Sequence, residues 1–205
     1  MGFYLHRIPT IASRIFPSYR WSIPNANREI YLTFDDGPTP KVTEDVLQVL
    51  QEKEVLATFF CLGSQLHKYP DLAKKTHFNG HRIANHGFDH FSGWRHSKQQ
   101  FYENRSKGHD VLCELFGEEK YAFRPPYGHF RVPSSGVMWS LMSGDFDSKL
   151  SKEKCLEVLK NQTRPGDIIV FHDNTAAHHK MKWVLPRYLD FCLASGFKFG
   201  LLPND

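Results

Sequence analysis

Apolar residues along this chain recur at two spacings, and the change from one to the other marks alternating strands and helices. Residues 29–34, Glu-Ile-Tyr-Leu-Thr-Phe, form a strand-like run that enters the turn Asp35-Asp36-Gly37-Pro38. Val42, Val46, Val49 and Leu50 then recur at helical spacing and predict a helix over residues 40–53, with Thr39 as its cap and Pro40 at its first position. The aromatic-rich run 57–62 predicts a second strand, residues 71–78 a helix stopped by Asn79-Gly80, and residues 82–85 a third strand. Ser97 and Gln100 stand in capping-box register at the head of a longer helix, 97–116, which Gly117 ends. Short strands are expected at 121–124 and 137–141. A helix at 151–161, a strand at 167–172 entered through Pro165-Gly166, a helix at 182–194 and a strand at 197–201 follow.

This alternation implies an α/β fold with a mostly parallel sheet and helices outside it, either a barrel or an open doubly wound sheet. In both, reactive groups gather where strands end and loops begin. Asp35 and Asp36, His86 and His90, Arg124, Asp145 and His172 all fall in such places. No repeat or linker divides the chain, so one domain is expected over residues 29–205. Residues 1–28 hold three prolines and several aromatics, and are expected to pack on its outside.

Composition changes this picture little. The chain has 205 residues, 40% hydrophobic and 23% charged, enough for one large core. No apolar run is long enough to span a membrane. The first residues lack the charged-then-apolar order of a secretory signal, and Gly2 is not followed by a myristoylation pattern, since position 6 is His6. A cytoplasmic location is therefore the expectation. A net charge of +4 without a basic block argues against a nucleic-acid partner. Cys61, Cys113, Cys155 and Cys192 form no Cys-x-x-Cys, and are expected to be buried thiols. Twelve histidines are more informative, because imidazole is both a metal ligand and an acid–base group.

Two adjacent carboxylates, Asp35 and Asp36, end an apolar strand and would repel one another unless a cation or a proton separates their roles. Asp-Asp-Gly-Pro is also ordinary turn chemistry. In Asn85-His86-Gly87-Phe88-Asp89-His90, the histidines four apart can converge on one ion. Together, Asp36, His86 and His90 make a two-histidine, one-carboxylate set suited to zinc, with ferrous iron, cobalt or nickel as alternatives.

Thr33-Phe34-Asp35-Asp36-Gly37, the Asn85-to-His90 motif, Arg124-Pro125-Pro126-Tyr127-Gly128, Trp139-Ser140 with Asp145, and Ile169-Val170-Phe171-His172 occur in that order. Over about residues 29–201 the chain resembles the polysaccharide deacetylases, carbohydrate esterase family 4, whose domain is also called the NodB-homology domain. The resemblance implies a distorted (β/α) barrel of about seven strands and a hydrolase that removes N-acetyl groups from amino sugars. It further implies that Asp36, His86 and His90 hold a divalent metal, which acidifies a water and polarises the acetamide carbonyl. Asp35 would be the general base, held by Arg124. The Tyr127 N–H would help to stabilise the oxyanion, and His172 would protonate the departing amine.

Two motif positions depart from the family. Gly87 stands where Thr or Ser is usual, so a hydrogen bond of the metal loop is either missing or supplied by another group, and metal affinity is left open. Met142 stands where the first Asp of the fourth motif is usual, so Asp145 is assigned as the partner of His172, with Phe146 as an aromatic wall and Asp147 as the alternative. Trp94, Phe91 and Tyr127 are candidates for stacking on a sugar. His178-His179 are expected to open a solvent-facing loop or helix. Within the same fold, a deformylase or amidase acting on a small or lipid-linked substrate, or an inactive sugar-binding protein, are the alternatives.

Overall fold

The computed structural model describes residues 5–24, 27–117 and 120–203. A short helix α1 (Ile11–Ile15) and strand β1 (Tyr19–Arg20) precede β2 (Glu29–Asp35), α2 (Val42–Glu52), β3 (Thr58–Cys61), α3 (Gly63–Lys68), α4 (Pro70–Phe78), β4 (Arg82–Asn85) and α5 (Lys98–Phe116). After a 3-10 turn at Pro126–Gly128 come β5 (Gly136–Val137), β6 (Leu141–Met142), α6 (Lys152–Gln162), β7 (Ile168–His172), α7 (Thr175–Ala194) and β8 (Lys198–Phe199). The main sheet is parallel in the order β4-β3-β2-β7-β6, and β8 pairs with the start of β2.

The sheet curls until its edges nearly meet. Beyond β4, Asn85 bridges to Phe123, and the Phe123 carbonyl accepts the Val137 N–H at 2.7 Å. The same segment runs on to Leu141, which pairs with Ile169 on the far edge. A distorted α/β barrel results. Alternation along β2 sends Ile30, Leu32 and Phe34 outward into the helix-covered cluster, with Phe59, Val46, Leu50 and Tyr188. Tyr31, Phe60, Ala84, Met138, Val170 and Ile168 fill the interior instead. Thr33 and Asp35 share the inward phase of Tyr31, and His172 shares that of Ile168 and Val170. The polar residues therefore arrive at the C-terminal mouth of an apolar barrel.

Several predicted boundaries shift, each for a local reason. Lys41 takes φ 66°, so α2 starts after it instead of at Pro40, and Thr39 is not the cap. The expected strand 121–124 contributes one bridge, because two prolines follow Arg124. The expected strand 137–141 is split into β5 and β6, and β8 is shorter than residues 197–201. The helix α3 was not foreseen, and α7 begins seven residues before position 182, since Asn174 accepts the Ala177 N–H and caps it there. Ser97 and Gln100 do form a capping box, and Gly117 ends α5 with φ 73°.

Of the N-terminal stretch 1–28, residues 1–4 and 25–26 lie outside the described residues, so Gly2 is not placed. In the remainder, Ile8, Phe16, Trp21 and Ile23 pack against the inner cluster, and Ile8 N–H bonds Ser140 O at 3.0 Å. Cys61, Cys155 and Cys192 are buried and Cys113 half-buried, all as free thiols. Among the described residues no helix is long and apolar enough to cross a membrane.

Arg7 fastens this segment to the barrel. Its guanidinium meets both oxygens of the buried Asp167, at 3.0 and 2.6 Å, while Ser140 Oγ donates to the same carboxylate at 2.7 Å. Arg7→Ala leaves Asp167 short of its charge partner but keeps the Ser140 bond. Urea unfolding of this variant is expected to show a loss of about 1–2 kcal/mol. An unchanged midpoint would show that Arg7 contributes nothing to the docking.

Candidate active site

Parallel pairing places Asp35 level with His172 on one side and with Phe60 on the other. The next residue turns sharply. Asp36 takes φ 85°, so its carboxylate diverges from that of Asp35 and the two acids face different neighbours. Both open on a cleft of about 740 Å³ lined also by His86, His90, Tyr127, His129, Phe146, Lys149 and His172.

Asp36 Oδ1 lies 3.2 Å from His90 Nε2 and 3.5 Å from His86 Nε2, and the three donor atoms lie within 4.8 Å of one another. Asp36 Oδ1 is buried and takes no hydrogen bond. An acceptor so placed, facing two imidazole nitrogens, fits a divalent cation. The tautomer agrees: His86 Nδ1 donates to the Arg124 carbonyl at 2.8 Å, which leaves Nε2 with its lone pair toward Asp36. Burial lowers the pKa of His90, favouring the neutral ring that a metal requires. Asn174 donates from Nδ2 to the other Asp36 oxygen, Oδ2, at 2.6 Å.

The loop from His86 to His90 is clamped from outside the motif. Gly87 has φ 84°, and a Cβ there would lie 2.4 Å from Asn104 Nδ2. Asn104, buried on α5, accepts the Asp89 N–H at 2.8 Å and donates to the Asp89 carbonyl at 3.0 Å. The amide thus stands beside the position where the side chain of the usual Thr or Ser would be.

Arg124 is fully buried inside the barrel mouth. It donates to Asp35 Oδ1 at 2.6 Å, Thr33 Oγ1 at 2.8 Å and Met138 O at 2.9 Å, and its guanidinium lies 4.0 Å from the centre of the Phe60 ring. Burial pulls its pKa down and Asp35 opposes this; guanidinium keeps its proton in either case. Tyr127 follows at φ 59°, a left-handed conformation unusual for a tyrosine, with its ring 4.3 Å from that of His90.

On the opposite wall, His172 Nδ1 lies 2.8 Å from Asp145 Oδ1, and Asp145 Oδ2 accepts the His172 N–H at 2.8 Å. Ser143 Oγ donates to Asp145 Oδ1 at 2.9 Å, fixing the carboxylate. Burial alone would discharge the ring, but Asp145 and the nearby Asp36 and Asp35 raise the His172 pKa to about 9. Asp147 stands further along the cleft, where its carboxylate accepts the Lys149 N–H. Phe146 meets the His172 ring edge-on at 5.1 Å.

Other candidates fall elsewhere. His178 pairs with Asp45 at 2.8 Å on α7, and Phe91 lies against His96 at 4.0 Å. Asn104, Asp173 and Asn174 were missed. Asp173 is buried, with its carboxylate accepting Gly37 N–H at 2.9 Å and Thr43 O–H at 2.6 Å. Burial pushes its pKa up to about 7, the Thr43 bond opposing. Its place directly after His172 was a usable signal, because it reaches back across the β2–β7 pair to the Asp-Asp-Gly turn.

The polysaccharide deacetylase family model matches residues 22–138. A chitooligosaccharide deacetylase of Azorhizobium caulinodans is 32% identical over 164 residues, covering 75% of this chain and 78% of that protein. A peptidoglycan-N-acetylglucosamine deacetylase of Bacillus cereus is 29% identical over 189 residues, covering 87% and 88%. The solved Bc1960 peptidoglycan N-acetylglucosamine deacetylase superposes with a TM-score of 0.87 at 26% identity, covering 96% and 95%. With this match over more than half its length, the chain belongs to the polysaccharide deacetylase family.

Proposed function

We propose that this chain hydrolyses N-acetyl groups of amino sugars in a chitin- or peptidoglycan-like saccharide, in a metal-dependent reaction. One observation carries the reading: two proton-handling groups of opposite charge, Asp35 on Arg124 and His172 on Asp145, end adjacent strands at the same register beside the Asp36–His86–His90 donor set. The names of the matched relatives point to the same substrates.

Asp36, His86 and His90 would hold the cation, zinc by preference for this donor set, with cobalt, nickel or ferrous iron as alternatives. When bound, such an ion acidifies a water and polarises a carbonyl. Asp35, fixed by Arg124, accepts the proton of the attacking water as its oxygen adds to the acetyl carbon. The Tyr127 N–H donates to the oxygen on which negative charge develops. His172 gives its proton to the nitrogen as the C–N bond breaks, since an amine leaves only when protonated. Acetate and a free amino sugar result, and Asp145 stabilises the charged form of His172 beforehand.

Acetate release from N-acetylglucosamine oligomers tests the reading directly. Chelator is expected to abolish release and added zinc or cobalt to restore it. No release with a fully metal-loaded protein would sink the assignment.

Asn104→Ala is expected to weaken metal affinity about 10- to 100-fold by freeing the histidine loop. Competition titration against a chelating dye measures this; an unchanged affinity would remove Asn104 from the support of the site.

The raised pKa of His172 sets a sign for pH. Without a metal the ring stays protonated up to about 9. A bound cation offsets the Asp36 contribution, so kcat/KM of the metal-loaded protein should fall on the alkaline side, at or below that value. Asp145→Asn removes the main stabilising charge and should move that basic limb to lower pH. By linkage, the stability from this pair is complete below the ordinary value of 6.5 and is lost as pH rises through about 9. A basic limb that ignores both Asp145→Asn and His172→Ala would contradict the acid role.

A further inference from the structure

A row of rings leads out of the cleft. His90 lies 4.3 Å from Tyr127, Tyr127 lies 5.5 Å from His129, and His129 stacks on Trp94 at 3.8 Å with 13° between planes. Tyr127 and His129 line the cleft, whereas Trp94 stands beyond it. Trp94 is 63% exposed although one face of its indole is covered by His129, so the other face is open to solvent.

This exposed indole is held in place. Its Nε1 donates to the Phe130 carbonyl at 3.0 Å, which satisfies the only polar atom of the side chain. Arg131 Nε donates to Gly93 O at 2.7 Å, and Ser92 Oγ and His129 Nδ1 lie 2.7 Å apart. Gly93 cannot carry a side chain here, since a Cβ would fall 2.2 Å from the His129 carbonyl oxygen. Residues 92–94 and 129–131 thus form one braced unit. A rigid aromatic face loses little entropy on binding, and an exposed tryptophan fixed in this way is suited to a flat, weakly polar partner.

We propose that Trp94 forms a sugar-binding subsite outside the catalytic cleft, stacking on a pyranose of the same saccharide chain whose acetamide lies at Asp36, His86 and His90. The pyranose C–H face supplies the flat apolar surface, and continuity of the ring row with the cleft makes the occupant another residue of the substrate. The inference rests on the deacetylase reading and narrows it to oligomers over free monosaccharides.

The test compares metal-loaded wild type, Trp94→Ala and Trp94→Phe on free N-acetylglucosamine and on its oligomers of increasing length. Acetate release gives kcat and KM, and calorimetric titration with the same oligomers gives affinity whether or not they are cleaved. Wild-type KM is expected to fall as the chain lengthens. Trp94→Ala should raise KM for the longer oligomers about 5- to 10-fold with kcat and metal affinity retained, and Trp94→Phe should recover most of the loss. A wild-type KM independent of length, or a Trp94→Ala effect equal on all lengths, would overturn the subsite. Length-dependent binding that needs Trp94, without acetate from any oligomer, would keep the subsite and reject the hydrolysis. If Trp94→Ala does not fold, Trp94→Phe and the wild-type length dependence decide alone.

Discussion

A guanidinium sealed inside an apolar barrel mouth requires an anion, and the rest of the site depends on how Arg124 satisfies that requirement. Its side chain holds Asp35, while its own backbone carbonyl accepts the hydrogen bond of His86 Nδ1–H. One residue therefore sets the direction of a carboxylate and the tautomer of a histidine in the proposed cation site. Replacing its side chain would leave Asp35 buried without its counter-charge, while the backbone carbonyl that accepts from His86 Nδ1 would remain. Its main chain also continues the sheet, since Arg124 N–H bonds the Asn85 carbonyl at 2.9 Å beside the bridge that helps to close the barrel. Barrel closure and the site thus share one residue.

The pairing of β2 with β7 adds the second half. Register places Asp35 and His172 level, and each meets a fixed counter-charge from a different loop. Around them amides and a carboxylate do the positioning: buried Asp173 on the Asp-Asp-Gly turn, half-buried Asn174 on Asp36 and buried Asn104 on the histidine loop. The Asn104 clamp gives physical content to the departure at Gly87. With φ 84° and no room for a Cβ at Gly87, the polar support of this loop comes from Asn104 on a neighbouring helix.

Much of this was legible in the chain. The strand 82–85 and the capping box at Ser97 and Gln100 follow from local pattern, and the structure shows both. Asp36, His86 and His90 do converge, and Asp145, not Asp147, lies on His172. What was hidden depends on long-range geometry. Asn104 lies 15 residues from Asp89 on a helix whose pattern announces only its packing. Lys41 with positive φ leaves no mark in an apolar periodicity, and the first turns of α7 bury only Ala177 and Met181, too little to place its start. The stacking candidates divided in the same way: Tyr127 and Trp94 face out, while Phe91 lies against His96, a distinction that composition does not hold.

The central claim is that three side chains from two strand ends form one cation site, and locating the ion tests it most directly. Crystals of zinc-loaded protein, measured at the zinc absorption edge, are expected to show one dominant anomalous peak bounded by Asp36 Oδ1, His86 Nε2 and His90 Nε2, at roughly 2.0–2.2 Å from each. A dominant peak at another histidine, such as His178 beside Asp45, or no peak between those three atoms, would contradict the account.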